Sequence, residues 1–345
     1  MIIFMETNRN FEIKKNQRKP CIYILSLGGT ISSKAKKPTD EYYSHPISDI
    51  NELLFSLPID NKKMTLVSEQ LLQQISHEMT HDDLLLVAKR INELVKNEGV
   101  DGIVVTQGTN CIEETAYFIS LVINTKKNIV FTGSHRPANA LGFDGARNLY
   151  NAILLASNHQ TSGMGVLLTF NDGIVSARDA SKFNPSLLGD FSLNGLASIG
   201  FIQGNKIQIQ KKPHFKHTYL SDFNINDINK EMKVYVIYGH LCADSIFVEA
   251  AIARNAIGII SAGLGKGYQP KAVTESLIQA SKQGIFVVRC SRHGQGLVNK
   301  EPNFDDIHGF IAGGSLSPQK ARILLSVAVS KTKDRMKIQQ IFDEY

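Results

Sequence analysis

Three apolar runs decide the fold of this chain: IYILSLGGTI (residues 22–31), GIVVTQGT (residues 102–109) and NIVFTGS (residues 128–134). Each run is typical of a buried β-strand and ends in a turn that joins glycine to a hydroxyl residue. The first two turns present Thr30 and Thr109. In an open α/β sheet, ligands and the groups that act on them lie at the carboxyl ends of the strands. Thr30 and Thr109 are therefore the first candidates for catalysis.

Helical patterns follow these strands. They occupy residues 47–57, a segment from Thr80 onward, a segment from Thr109 onward, and residues 143–156. In the segment from Thr109, Glu113 and Glu114 fall in the first turn, where the helix dipole favours acidic side chains. Strands that alternate with helices predict an α/β fold with a mainly parallel sheet.

The polar stretch 211–232 shows neither helical nor strand periodicity, so it predicts a linker. Beyond it, strand-like runs at 234–238, 257–261 and 285–290 repeat the βα pattern, and Ser317-Pro318 is a good start for a last helix. We therefore predict two domains: a larger N-terminal α/β catalytic domain over 20–210 and a smaller C-terminal α/β domain over 233–345. Residues 1–19 are predicted to be a disordered tail.

Composition argues against several classes of protein. The chain has 345 residues, 43% of them hydrophobic, with a net charge of +6. Half of that excess lies in residues 1–19, where five basic residues face two acidic ones, and the remainder forms no basic stripe of the kind nucleic-acid binding needs. No apolar run approaches the ~20 residues of a membrane span.

The start of the chain and its cysteines favour a cytoplasmic protein. The apolar run at residues 1–5 is too short for a secretory signal. The four cysteines are too scattered for a disulfide framework or a zinc ribbon, so we predict buried free thiols. They are Cys21, Cys111, Cys242 and Cys290.

Two further motifs have simple structural explanations. His77-Glu78-Met79-Thr80-His81 fits the zinc-hydrolase pattern H-E-x-x-H, but Thr80 followed by Asp82 and Asp83 predicts a helix that starts there. His77 would then precede the helix and could not share a helical face with His81. The run GLGKGY at 263–268 has Tyr268 where a dinucleotide site needs a small residue, so it predicts a tight turn.

Five segments, in order and at matching spacing, resemble the bacterial-type L-asparaginase/glutaminase family from about residue 20 to 345. They are LSLGGTI, TQGTNCIEETAYFI, GSHRPANALGFDGARNLYNAI, NDGIVSARDASKFNP and GGSLSPQKARILLSVAVSKTKD. The resemblance implies the two-domain asparaginase fold. It also implies a hydrolase of a small-molecule side-chain amide, with a threonine nucleophile, an acyl-enzyme and ammonia as product, and without a metal or an organic cofactor.

The resemblance assigns catalytic roles to Thr30 as primary nucleophile, Tyr43 on a lid, Thr109 and Lys182. Tyr42 is adjacent to Tyr43 and remains an alternative. A threonine hydroxyl needs a neighbour to take its proton, which Tyr43 could relay near Thr30 and which Lys182 could accept from Thr109 or from water. Family members are homotetramers, dimers of intimate dimers, and we expect the same here.

The glycine turns and the family resemblance also indicate substrate-binding positions. Backbone N–H groups of the turns at Gly29 and Gly108 could hold an oxyanion. Ser76 matches the position that binds the substrate carboxylate. His77 stands where a glutamine or small polar residue is usual, and Asn110 stands where the family has an aspartate that grips the α-ammonium.

Two positions that a neighbouring subunit contributes in many bacterial members also differ. Cys242 replaces an asparagine, and Asn303 replaces a glutamate, with Glu301 nearby. Because an ammonium buried without an anion costs several kcal/mol, we expect a substrate whose α-nitrogen is acylated, absent or otherwise uncharged. An ordinary or slow L-asparaginase, a catalytically silent binding homologue, and a thiol nucleophile at Cys111 are the alternatives.

Overall fold

The computed structural model describes residues 2–4, 19–40, 43–47, 49–182, 184, 188, 197–228, 233–294 and 296–345, with the backbone alone for 2–4 and 43–47. The chain divides into two compact units, Met1–Ser221 and Asp222–Tyr345. The division falls inside the segment 211–232 that the sequence assigns to a linker. Ser221 is the last residue of the first unit, and its hydroxyl donates a hydrogen bond to the carbonyl of Leu121.

The first unit contains eleven strands and four helices in the described residues. The strands are β1 (Ile2–Phe4), β2 (Cys21–Ser26), β3 (Ser33–Ala35), β4 (Tyr43–Ile47), β5 (Thr65–Gln70), β6 (Gly102–Thr106), β7 (Asn128–Thr132), β8 (Val166–Phe170), β9 (Gly173–Ser176), β10 (Ser198–Gln203) and β11 (Lys206–Ile209). The helices are α1 (Ile50–Ser56), α2 (His81–Lys96), α3 (Ile112–Val122) and α4 (Gly145–Ser157).

Nine of these strands form one sheet in the order β1-β5-β2-β6-β7-β8-β9-β10-β11. The strands from β1 to β8 pair in parallel, and β9 to β11 extend the sheet antiparallel. Every residue of β2, β6 and β7 is buried, which explains why these runs are apolar throughout instead of alternating. The predicted α/β class with a mainly parallel sheet is confirmed.

The strand order places a topological switch point between β2 and β6. From β2 the chain first moves outward to β5 and then returns to the other side of β2 to form β6. At such a point ligands bind in the crevice at the carboxyl ends of the strands. The turns that carry Thr30 and Thr109 are the loops that leave β2 and β6.

The core under this crevice is built by α1 and α4. Ile22 and Ile24 of β2, Val104 of β6, Leu54 of α1 and Ile153 of α4 belong to one buried apolar cluster. This packing fixes the ends of β2 and β6, and with them the two turns.

Three predicted boundaries differ from the structure. The helix predicted over 47–57 begins only at Ile50, because residue 47 pairs with Ser33 at the end of β4, and Asp49 caps the helix by accepting from the Asn51 N–H. The helix predicted from Thr109 begins at Ile112. Within the predicted tail 1–19, Ile2–Phe4 pairs with β5, residue 19 is also described, and the rest lies outside the described residues.

The second unit has a four-stranded parallel sheet in the order β12-β13-β14-β15 in the part of it that the structure describes. Its elements are β12 (Val234–Tyr238), α5 (Ile246–Ala253), β13 (Gly258–Gly263), α6 (Lys271–Lys282), β14 (Phe286–Ser291), β15 (Phe310–Ala312), α7 (Pro318–Lys331) and α8 (Arg335–Glu344). The last long helix starts at Pro318 after Ser317, as the sequence predicts. The predicted smaller α/β domain is confirmed.

Candidate active site

The turns after β2 and β6 touch each other backbone to backbone. Gly29 has φ 91° and ψ −173°, a conformation that is essentially restricted to glycine. A Cβ added to Gly29 would lie 2.3 Å from the backbone nitrogen of Gly108 and 2.4 Å from its Cα. Each glycine directly precedes a threonine, so this contact brings the backbones of Thr30 and Thr109 to the same crevice.

Thr30 begins a single 3-10 turn, Thr30–Ser32, and only 9% of the residue is exposed. The carbonyl of Gly29 accepts hydrogen bonds from the Ser32 N–H at 3.2 Å and from the Ser33 hydroxyl at 2.8 Å. These bonds hold the turn in one conformation. The hydroxyl residue is therefore carried by a rigid, largely water-excluded segment.

Thr109 lies beside the amine of Lys182, as the family resemblance implies. The Nζ of Lys182 lies 2.8 Å from the Oγ1 of Thr109, which is 6% exposed. Because α3 begins after Cys111, the Thr109 hydroxyl does not cap that helix. Burial lowers the pKa of Lys182 below its ordinary value, and the carboxylate of Glu113 opposes this by raising it. A half-buried amine with a lowered pKa, bonded to a hydroxyl, has the geometry of a general base beside a nucleophile.

Glu113 is a site residue that the sequence analysis missed. It lies in the first turn of α3, as predicted, but it is 6% exposed, and its Oε2 accepts the backbone N–H of Lys182 at 2.7 Å. The sequence offered one weak signal: α3 is apolar on nearly all sides, so an acid within it is drawn into the interior.

Ser76 and His77 reach the second turn from a separate loop, the 3-10 turn Ser76–Glu78. Ser76 is 2% exposed, and its Oγ is a buried atom that has no hydrogen-bond partner among the described residues. A Cβ added to Gly108 would lie 2.8 Å from that oxygen. The Nδ1 of His77 lies 3.1 Å from the Nδ2 of Asn110, and both residues are exposed. The structure thus brings together Gly29, Ser76, His77, Gly108, Asn110, Thr30, Thr109 and Lys182.

Three predicted site residues are not placed in this cluster. Tyr43 begins β4, where its backbone pairs with Ala35, and its side chain lies outside the described residues, as does all of Tyr42. Cys242 and Asn303 lie in the second unit, and both are exposed. Cys242 follows β12 with φ 60°, and Asn303 lies on the π-helical turn Pro302–Asp306.

The structure bears out the reasoning on the H-E-x-x-H motif. The helix α2 begins at His81, and a capping box joins Thr80 to Asp83: each side chain bonds the other residue's backbone N–H. His77 belongs to the preceding 3-10 turn, so the two histidines do not share a helical face. Among the described residues, no group of three or more His, Cys, Asp or Glu side chains is placed to hold a metal ion. The run 263–268 forms the predicted tight turn, closed by the bridge between Leu264 and Tyr268.

The cysteines follow the prediction in part. All four are free, but only Cys21 and Cys290 are buried, whereas Cys111 is half-buried and Cys242 is exposed. The prediction of buried thiols is therefore wrong for Cys242. Burial, together with the nearby Glu114 and Glu113, raises the pKa of the Cys111 thiol to about 11. A thiol that stays protonated at neutral pH is a poor nucleophile.

Family models match both units of the chain. The model for the N-terminal asparaginase domain covers residues 21–215, and the model for the glutaminase/asparaginase C-terminal domain covers residues 233–342. The chain belongs to the asparaginase family. It is 36% identical to L-asparaginase 2 of Escherichia coli (strain K12) over 327 residues, which cover 94% of this chain and 93% of the relative.

Two other members of the asparaginase family have a similar sequence identity to this chain. The glutaminase-asparaginase of Pseudomonas aeruginosa is 34% identical over 348 residues, with 100% of this chain and 96% of the relative covered. The probable periplasmic L-asparaginase of Haemophilus influenzae is 35% identical over 327 residues, with 94% and 93% covered. This asparaginase-family chain is accordingly an amidohydrolase that acts on linear amides. In the described residues, none of its helices is long and apolar enough to cross a membrane.

Proposed function

We propose that this amidohydrolase cleaves the side-chain carboxamide of an asparagine-like substrate through a threonine acyl-enzyme and releases ammonia. The observation that carries the proposal is the 2.8 Å contact between Lys182 Nζ and Thr109 Oγ1 at the switch point of the sheet. Its support is chemical: a neutral amine at this distance accepts a proton from the hydroxyl or from a water that the hydroxyl orients.

The proposed reaction has two steps. The Oγ1 of Thr30 attacks the carboxamide carbon, and the phenol of Tyr43 relays the hydroxyl proton to the carboxamide nitrogen. Breaking of the C–N bond then releases ammonia and leaves an ester on Thr30. A water deprotonated at the Lys182–Thr109 pair then hydrolyses the ester, which forms the carboxylate and restores the hydroxyl. Backbone N–H groups of the turns at Gly29 and Gly108 stabilise the oxyanion in both steps.

The proposed substrate carries no free α-ammonium. Position 110 supplies a neutral amide, and its Nδ2 faces His77, which leaves the Oδ1 as an acceptor for a neutral N–H such as that of an acylated α-nitrogen. In the single chain Asn110 is exposed. The preference therefore depends on closure of the pocket in the proposed homotetramer, where an unpaired ammonium would lose its water.

The test compares the kcat/KM for ammonia release from L-asparagine, L-glutamine and Nα-acetyl-L-asparagine. We expect the acetylated amide to be preferred, and Asn110→Asp to shift the preference toward L-asparagine by at least about ten-fold, the effect of one partner for a charged group. His77→Gln is the matched control, because it changes the neighbour of Asn110 without adding a charge. Equal activity of the wild-type protein on free and acetylated asparagine would refute the substrate assignment.

A second candidate, hydrolysis of free L-asparagine or L-glutamine, is supported by the names of the relatives. It predicts that L-asparagine or L-glutamine is the best substrate in the same assay. A silent homologue would bind an amide without turnover, and its affinity would not depend on Thr30. The cytoplasmic location also stays a proposal, since one relative is named as periplasmic.

A further inference from the structure

Lys182 is held at both ends by one short segment of chain. Its side chain meets the Oγ1 of Thr109 at 2.8 Å, and its backbone N–H donates to the Oε2 of Glu113 at 2.7 Å. Thr109 and Glu113 are four residues apart, at the end of the turn after β6 and in the first turn of α3. The amine therefore keeps a fixed position relative to the hydroxyl only while both contacts persist.

Glu113 also supplies a negative charge near Lys182, which Asn110 does not. Asn110, which lies between Thr109 and Glu113 in the chain, carries a neutral amide. Glu113 is 6% exposed, so its carboxylate is little screened by solvent, and its charge raises the pKa of Lys182 against the effect of burial. The charge that balances the Lys182 ammonium thus comes from the helix and not from the turn.

We propose that Glu113 is a positioning residue for Lys182: its carboxylate anchors the backbone of residue 182 and supplies the negative charge that Asn110 lacks. The inference rests on the proposed role of Lys182 as the base. It assigns to Glu113 two separable effects, a hydrogen bond that fixes the place of the amine and a charge that sets the pH at which the amine becomes neutral.

Two substitutions separate these effects. Glu113→Gln keeps an oxygen that can accept the Lys182 N–H and removes the charge. The pKa of Lys182 then falls, the neutral amine forms at lower pH, and the acid limb of the kcat/KM profile moves to lower pH, with a much smaller loss of kcat at the plateau than in Glu113→Ala. Glu113→Ala removes both effects, and displacement of the amine lowers kcat by about 100-fold, with a much smaller change in KM.

The matched control is Glu114→Gln, which removes a charge from the same helical turn. We expect it to leave the acid limb in place. Far-UV circular dichroism of each variant shows whether it is folded, and if Glu113→Ala does not fold, the pH profile of Glu113→Gln decides the matter. A Glu113→Gln profile that superimposes on the wild-type profile overturns the inference.

Lys182→Met distinguishes this failure from failure of the proposed function. If Lys182→Met abolishes ammonia release while Glu113→Gln leaves the profile unchanged, the base assignment stands and the role of Glu113 is wrong. If Lys182→Met retains wild-type activity, the proposed function itself fails.

Discussion

Replacing Gly29 by alanine measures how tightly the turns after β2 and β6 are held together. The φ of 91° and ψ of −173° at this position cost a non-glycine residue about 1–3 kcal/mol. The added methyl would lie 2.3 Å from the Gly108 nitrogen, and since that neighbour is backbone, one turn must move. Overpacking of this kind costs a further 1–3 kcal/mol or so. We expect Gly29→Ala to lose about 2–6 kcal/mol of unfolding free energy in total.

The assay is urea unfolding followed by far-UV circular dichroism, since the chain has no tryptophan. Gly204→Ala is the control in the same unit, because Gly204 also has a positive φ, 62°, and no atom of the described part of the chain lies within 4 Å of its added Cβ. It should lose only about 1–2 kcal/mol. Folded Gly29→Ala should also lose about 100-fold in kcat, since the two threonines no longer share one geometry. Equal stability losses in the two variants, with activity retained in Gly29→Ala, would refute the contact between the turns.

Three further predictions follow from the site and from the second unit. The rate of ammonia release should rise with pH as Lys182 loses its proton. Because burial lowers the pKa of this amine from 10.5, the midpoint of the rise should lie below pH 10.5. A pH–rate profile in which activity falls as Lys182 loses its proton would contradict the base role. Asp305→Asn should destabilise the protein by about 3–5 kcal/mol in urea unfolding. The Arg289 side chain is only 2% exposed, and the substitution removes the carboxylate that lies 2.6 Å from its guanidinium. A loss under about 1 kcal/mol would show that this ion pair contributes little to stability. Tyr238 and Phe247 are 54% and 65% exposed beside a groove of about 500 Å³ along β12 and α5. If this apolar surface helps to build the proposed homotetramer, Phe247→Asp should lower the assembled fraction in sedimentation velocity. An unchanged sedimentation profile would place the subunit contacts elsewhere.

The sequence was sufficient for the sheet but not for every helix end. The runs that became β2, β6 and β7 are apolar along their whole length, and glycine turns mark their ends, so their burial and direction were predictable. The start of α2 was also predictable, because the capping box between Thr80 and Asp83 is a local interaction. The start of α1 was not, because residue 47 is drawn into β4 by pairing with Ser33, which is a tertiary contact.

The candidate site divides in the same way. Thr30 and Thr109 follow from the strand ends alone, whereas the pairing of Thr109 with Lys182, 73 residues later in the chain, came from family resemblance. The role of Glu113 was hidden because an acid in a first helical turn already has an explanation in the helix dipole. Its contact with the Lys182 backbone depends on a loop whose path no local pattern specifies.

The contact between Asn110 and His77 has a consequence for the acid tolerance of the site. A carboxamide presents a donor on one side and an acceptor on the other, so rotation by half a turn exchanges the two. Asn110 can donate to an Nδ1 that carries no proton and, after such a rotation, can accept from an Nδ1 that carries one. The loop that carries His77 therefore keeps its hydrogen bond to the second turn in either case, whereas an aspartate at position 110 could bond only an Nδ1 that carries a proton.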